Sequence, residues 1–153
     1  MYHRILVPLD GSEFSECVFK HVKAIALGCK VPEVVLLQVL EPIAQHQVYE
    51  LLGDYQVRDI QNQAQASTET YVSQQAEKLK KDGLTVRTAV VSGNPSEEIL
   101  DFAAKNQVDL IIMSTHGRSG VSRWVMGSVT DRVLRHSIVP VLTVSPPGCR
   151  GGR

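Results

Sequence analysis

Two short runs of consecutive apolar residues constrain the fold of this chain more than any other feature. Residues 34–37 are Val-Val-Leu-Leu, and residues 110–113 are Leu-Ile-Ile-Met. A strand with one face in water alternates apolar and polar residues, whereas a strand covered on both faces is apolar throughout. The two runs therefore predict strands of a parallel sheet that lies between two layers of helices.

Similar runs rich in Val, Ile and Leu extend this prediction to five strands, at residues 5–9, 34–40, 84–91, 110–113 and 139–144. Between them, apolar residues recur every three or four positions, which predicts helices at residues 12–27, about 57–81, from 94 onward, and about 127–136. Parallel strands are joined by right-handed crossovers through helices. The alternation predicts an α/β fold: one doubly wound, Rossmann-like sheet of order 3-2-1-4-5, with helices on both faces.

The ends of the predicted helices carry recognisable signals. Ser12 is expected to cap the first helix and Gly28 to end it. Asn94 is followed by Pro95 and, three positions on, by Glu97, which is typical of a helix start. We expect an irregular and mobile loop at residues 41–56, which include Pro42.

Composition limits the class of protein further. With 153 residues and 43% apolar residues, the chain can bury a core as one domain, predicted at residues 1–147 with a flexible tail at 148–153. No apolar run is long enough for a signal-peptide core or a membrane span. The three cysteines lack disulfide or metal spacing, so we expect a cytoplasmic protein that contributes no metal ligands of its own.

Charge is balanced overall but unevenly distributed. The chain has 16 basic and 16 acidic residues, which argues against binding of nucleic acid or membrane through bulk charge. Residues 112–153 nevertheless hold six Arg and a single acid, Asp131. Either a small anion docks near the end of the chain, or the basic residues are merely solvated.

Two loops and one helix start are the best candidates for chemistry. In doubly wound folds a ligand lies beyond the carboxyl ends of the strands, where the strand order reverses. The loops there are residues 8–12 and 114–120, and Gly127-Ser128 opens a helix downstream. Unpaired amides at a helix start bind phosphate, and a glycine lets an oxygen approach the backbone.

These residues together resemble the universal stress protein family. The resemblance rests on a strand followed by Pro8-x-Asp10-x-Ser12, on Gly93-x-Pro95 before a helix, and on Ser114-Thr115-His116-Gly117 followed by Gly127-Ser128. It covers nearly the whole chain. Nucleotide-binding members carry Gly-x-x-Gly, nine residues, then Gly-Ser/Thr, and this sequence has Ser114 in place of the first glycine.

The resemblance implies a binding site for an adenine nucleotide, usually ATP, with Mg²⁺ held through the triphosphate. Adenine would lie near Pro8, Asp10 and Val39, the ribose near Met113 and Ser114, and the phosphates on Gly117, Gly127, Ser128 and the Val129 amide. The complete set of implied binding residues is Pro8, Leu9, Asp10, Val39, Met113, Ser114, His116, Gly117, Arg118, Gly127, Ser128 and Val129.

Several interpretations compete at this point. The favoured function is an ATP-binding regulatory protein of the stress response, with an unidentified protein partner and no catalytic residues. His116 has no partner at a spacing that suits a general base. The alternatives are an enzyme that cleaves ATP between the α and β phosphates, whose Ser-Gly-Gly-x-Asp-Ser loop is absent, and a ligand-free scaffold dimer. We also expect a homodimer through the fifth strand, from Val139 to Val144, because an apolar edge strand needs cover.

Overall fold

A computed structural model of the chain describes residues 2–43, 45–116 and 126–146, and for residues 45–51 it describes the backbone only. The elements alternate as expected. The strands are β1 (Arg4–Leu9), β2 (Glu33–Leu40), β3 (Val86–Ser92), β4 (Leu110–Ser114) and β5 (Val141–Val144). The helices are α1 (Glu13–Glu16), α2 (Phe19–Gly28), α3 (Gln45–Lys81), α4 (Pro95–Lys105) and α5 (Ser128–His136).

The strands form one parallel sheet in the order β3-β2-β1-β4-β5, which confirms the predicted fold. Consecutive residues of each central strand enter opposite cores. Ile5 and Val7 face the core that includes Val22 of α2 and Val72, Ala76 and Leu79 of α3. Leu6, between them, faces the core under Ile99 of α4 and Val133 of α5. Cover on both faces explains the continuous apolar runs.

The predicted helix at residues 12–27 is wrong in one respect, because two helices occupy it. Cys17 and Val18 keep right-handed dihedral angles with ψ near −20°, which is closer to a 3₁₀ turn than to an α-helix. The Ser12 side chain makes no capping hydrogen bond. At the other end α2 does finish at Gly28, but the left-handed residue there is Lys30, with φ of 52°.

The irregular loop predicted for residues 41–56 is also wrong. Helix α3 begins at Gln45 and runs to Lys81, with one non-helical residue, Gly53, at φ 75° and ψ 159°. A positive φ suits glycine, so Gly53 allows two helical segments to follow each other. Among the described residues the irregular part is therefore confined to 41–43.

The other element boundaries lie within two residues of the predicted ones. Asn94 caps α4 by accepting a hydrogen bond from the Glu97 amide at 3.3 Å, with Pro95 in the first turn. β5 starts at Val141 and not at Val139, since Pro140 has no amide for a ladder.

The predicted tail at 148–153 lies outside the described residues. None of the described helices is long and apolar enough to cross a membrane.

Candidate functional site

A cleft of about 270 Å³ opens beyond the carboxyl ends of β1, β2 and β4. It lies beside β1, where the strand order reverses, which is the usual ligand position in this class of sheet. Ten of the twelve predicted residues line it: Pro8, Leu9, Asp10, Val39, Met113, Ser114, His116, Gly127, Ser128 and Val129. Gly117 and Arg118 lie outside the described residues.

One side of the cleft is apolar. The strands contribute Pro8, Leu37, Val39 and Met113 to this side, and α4 contributes Ile99. Leu37, Ile99 and Met113 are almost fully buried, so these walls belong to the same core that fixes α4 against the sheet. A concave apolar wall of this kind suits a flat ring system better than a charged group.

The opposite side of the cleft is the start of α5. Gly127 occupies the N-cap position with extended dihedral angles, and no side chain of the described residues caps the helix. The first amides of a helix have no partner within it and carry the positive end of its dipole. Ser128 and Val129, which line the cleft, therefore offer donors to an anion.

Two hydrogen bonds fix this helix start against β4. The Gly127 amide donates to the Thr115 carbonyl at 2.8 Å, and the Thr130 hydroxyl donates to the Ser114 carbonyl at 2.8 Å. A Cβ at Gly127 would lie 3.2 Å from the Thr115 carbonyl oxygen, tighter than most contacts of that kind. Close packing here thus favours glycine.

The loop after β1 is organised around Asp10. Asp10 Oδ1 accepts hydrogen bonds from the Ser12 amide at 2.9 Å and from the Ser12 hydroxyl at 2.6 Å. Gly11 between them has φ of 82°. This closes an Asx-type turn, and it uses the Ser12 hydroxyl that sequence analysis assigned to helix capping.

Ser114 and His116 stand where the strand β4 ends. Ser114 is buried and has no positive φ, so a side chain is tolerated at this position, where the motif of the resemblance has glycine. His116 Nδ1 lies 2.8 Å from the Thr115 hydroxyl. Its Nε2 is buried without a hydrogen-bond partner among the described residues, and no carboxylate is paired with the ring there. A general-base pair at His116 is therefore not formed by those residues.

Six residues of the cleft were not predicted: Ser15, Leu37, Glu41, Pro95, Ile99 and Thr130. Pro95 follows Gly93 in the motif that carried the family resemblance, so its position was a usable signal. The Thr130 hydroxyl donates to the Ser114 carbonyl, 16 positions away, a contact that the sequence does not reveal, whereas Ser15 donates to the Ser12 carbonyl within its own turn. No cluster of three metal-binding side chains occurs within the described parts of the chain.

Comparison with protein families decides the relationship. The model described as "Universal stress protein family" matches residues 1–145. The chain belongs to the universal stress protein family. Universal stress protein MJ0577 of Methanocaldococcus jannaschii is 35% identical over 155 residues, covering 94% of this chain and 95% of the relative. Universal stress protein MJ0531 of the same organism is 31% identical, covering 96% and 84%.

Solved structures show the same fold for other universal stress proteins. The structure of MJ0577 superposes with a TM-score of 0.82 at 33% identity, covering 95% of this chain and 97% of that one. A universal stress protein in complex with cAMP has a TM-score of 0.60 at 22% identity, covering 94% and 97%. One from Archaeoglobus fulgidus in complex with dAMP has 0.64 at 19%, covering 93% and 97%.

Proposed function

We propose that this universal stress protein binds an adenine nucleotide in the cleft, with ATP and Mg²⁺ as the expected form. The observation that carries the proposal is the pairing, across one cleft, of an apolar wall with amides of α5 that no side chain of the described residues caps. The wall suits a purine ring and the helix start suits phosphates. Proteins of the same fold have been solved with cAMP and dAMP, which makes adenine nucleotides the first ligands to test.

Within this proposal each side of the cleft has a distinct task. The base would lie against Pro8 and Val39, and the phosphates would lie on Gly127, Ser128 and Val129. The ordered turn at Asp10 would present an acceptor to the nucleoside. Mg²⁺ would be held through the phosphates, since the described residues contain no cluster of metal ligands.

We propose a regulatory role in the stress response and not a dedicated enzyme. Nucleotide occupancy would change the segment between Ser114 and Gly127 and, through it, a surface for a protein partner in the cytoplasm. The absence of the Ser-Gly-Gly-x-Asp-Ser loop weighs against an enzyme that cleaves ATP between the α and β phosphates. A ligand-free scaffold dimer is the remaining alternative, and the cleft argues against it.

The testing experiment combines copurification and titration. The full chain is denatured after purification, its small molecules are identified by mass spectrometry, and the emptied protein is titrated with ATP and Mg²⁺ by calorimetry. We expect an adenine nucleotide in the extract and an affinity on the order of micromolar. GTP and inorganic triphosphate serve as controls for the base. No copurified nucleotide together with no heat of binding would refute the proposal and favour the scaffold.

A further inference from the structure

A hydrogen bond joins α1, the shortest of the described helices, to α3, the longest of them. The Tyr71 hydroxyl of α3 donates to Glu16 Oε1 of α1 at 2.9 Å. Lys78, two turns further along α3, lies 4.0 Å from Glu16 Oε2. The Glu16 side chain is only 27% exposed, so this contact is partly shielded from water. Burial, followed by the neighbouring Glu16 carboxylate, raises the pKa of Tyr71 still further above neutral pH, so its hydroxyl is a proton donor in this contact.

Helix α1 depends on contacts of this kind for its position. It has four residues and no side-chain cap, and so short a helix is not stable by itself. Its inner residue, Ser15, is 4% exposed, and its hydroxyl donates to the Ser12 carbonyl at 2.8 Å. The same hydroxyl lies 3.4 Å from the Asp10 amide, which donates to it. A shift of α1 would therefore move the Asp10 turn.

Tyr71 itself stays outside the cleft, whereas Asp10 and Ser15 line it. We propose that Tyr71 is a positioning residue, whose hydroxyl holds α1 through Glu16 and so places the Asp10 turn for the nucleoside half of the ligand. This inference rests on the proposed nucleotide binding. The phosphate half would lie on a different element, α5, whose first turn is hydrogen-bonded to the end of β4 and, among the described residues, not to α1. Loss of the Tyr71 hydroxyl should thus weaken binding of the nucleoside half more than binding of the phosphate half.

The variant Tyr71→Phe tests this in the full chain, because phenylalanine keeps the ring in the core and removes only the hydroxyl. Calorimetry would compare ATP, adenosine and inorganic triphosphate. We expect a loss of about three- to tenfold for ATP and adenosine, the effect of one hydrogen bond, and a change within about twofold for triphosphate. Tyr55→Phe is the matched control, since Tyr55 is on the same helix and 84% exposed.

Glu16 provides the second half of the test. Glu16→Ala should weaken ATP binding as Tyr71→Phe does, and the double variant should lose clearly less than the two single losses combined, because both changes remove the same Tyr71–Glu16 hydrogen bond. Glu16→Gln keeps an acceptor and should restore most of the affinity. Amide hydrogen exchange at residues 10–16 should accelerate in Tyr71→Phe, while exchange in β4 stays unchanged.

Three results would overturn the inference: equal ATP affinity in Tyr71→Phe and wild type, equal losses for adenosine and triphosphate, or unchanged exchange at residues 10–16. The last result also separates this inference from the proposed function. If the wild type bound no nucleotide, the proposed function would fail. Faster exchange in Tyr71→Phe would then still support the control of the turn by Tyr71, and unchanged exchange would refute it.

Discussion

The Thr130 hydroxyl donates a hydrogen bond of 2.8 Å to the main-chain carbonyl of Ser114, and both residues are buried. The bond joins the first turn of α5 to the last residue of β4, across 16 positions that include the segment outside the described residues. The helix start that faces the cleft is thus held by the sheet itself.

Replacement of Thr130 by Val should show what this bond contributes. Valine has nearly the same shape but leaves the buried Ser114 carbonyl without its donor, so we expect the free energy of unfolding to fall by about 1–3 kcal/mol. Urea denaturation measures this change. Thr130→Ser, which keeps the hydroxyl, should lose less. If valine and serine were equally stable, the hydrogen bond would have no net role in fixing α5.

Gly127→Val tests the phosphate end of the proposed site. A Cβ there already lies 3.2 Å from the Thr115 carbonyl oxygen, and the branched valine adds two methyl groups at the helix start. We expect ATP affinity to fall by tenfold or more, which is about 1.4 kcal/mol, as measured by calorimetry.

The matched control for this change is Gly28→Val, at the end of α2, where a Cβ meets nothing within 4 Å. It repeats the substitution away from the cleft and should leave ATP affinity unchanged. If Gly127→Val bound ATP with wild-type affinity, the phosphates would not bind at this helix start.

Asp10 is predicted to act on the nucleoside. Asp10→Ala should weaken ATP binding more than binding of inorganic triphosphate, because the carboxylate lies at the end of β1 and not at the helix start of α5. Since Asp10 Oδ1 also closes the turn with Ser12, Asp10→Asn is needed beside it, as the amide keeps one acceptor for that turn. Calorimetry with both ligands separates the effects, and equal losses for the two would mean that Asp10 serves only the fold.

The sequence predicted the strands and the position of the cleft, because these features depend on local runs of residues and on where each strand ends. Runs such as Val34 to Leu37 identified strands covered on both faces, and the loops that begin after β1 and β4, with Asp10 and Ser114, identified the cleft, because parallel strands place their carboxyl ends together. Sequence reasoning failed where distant segments decide. The Ser12 hydroxyl turned toward Asp10, and the partner of Glu16 proved to be Tyr71, 55 positions away. The first part of α3, from Gln45, was missed because Pro42 suggested a loop, although Val48, Leu51, Leu52 and Tyr55 recur at helical spacing.

The proposed homodimer depends on the open edge of β5. The Ile111 amide donates to the Pro140 carbonyl and the Thr115 amide to the Val144 carbonyl, so even-numbered residues of this strand face β4. In a parallel ladder the residues between them direct their main-chain groups away. Val141 and Thr143 therefore present amides and carbonyls to the open edge, and Ile138 just before the strand is 82% exposed. No strand of the described residues pairs with this edge, and such an edge is a template for a second strand.

Substitution of Thr143 by Pro tests the dimer most directly. Proline removes an amide that faces the open edge, and it leaves the hydrogen bonds to β4 in place, as edge strands tolerate. Lysine at Val144 would be a poorer choice, because that side chain is 8% exposed and belongs to the core. In sedimentation at micromolar concentration we expect wild type and Thr143→Ala to be dimers and Thr143→Pro to be a monomer with an unchanged circular dichroism spectrum. A monomeric wild type, or a dimer that persists with proline, would exclude pairing through β5.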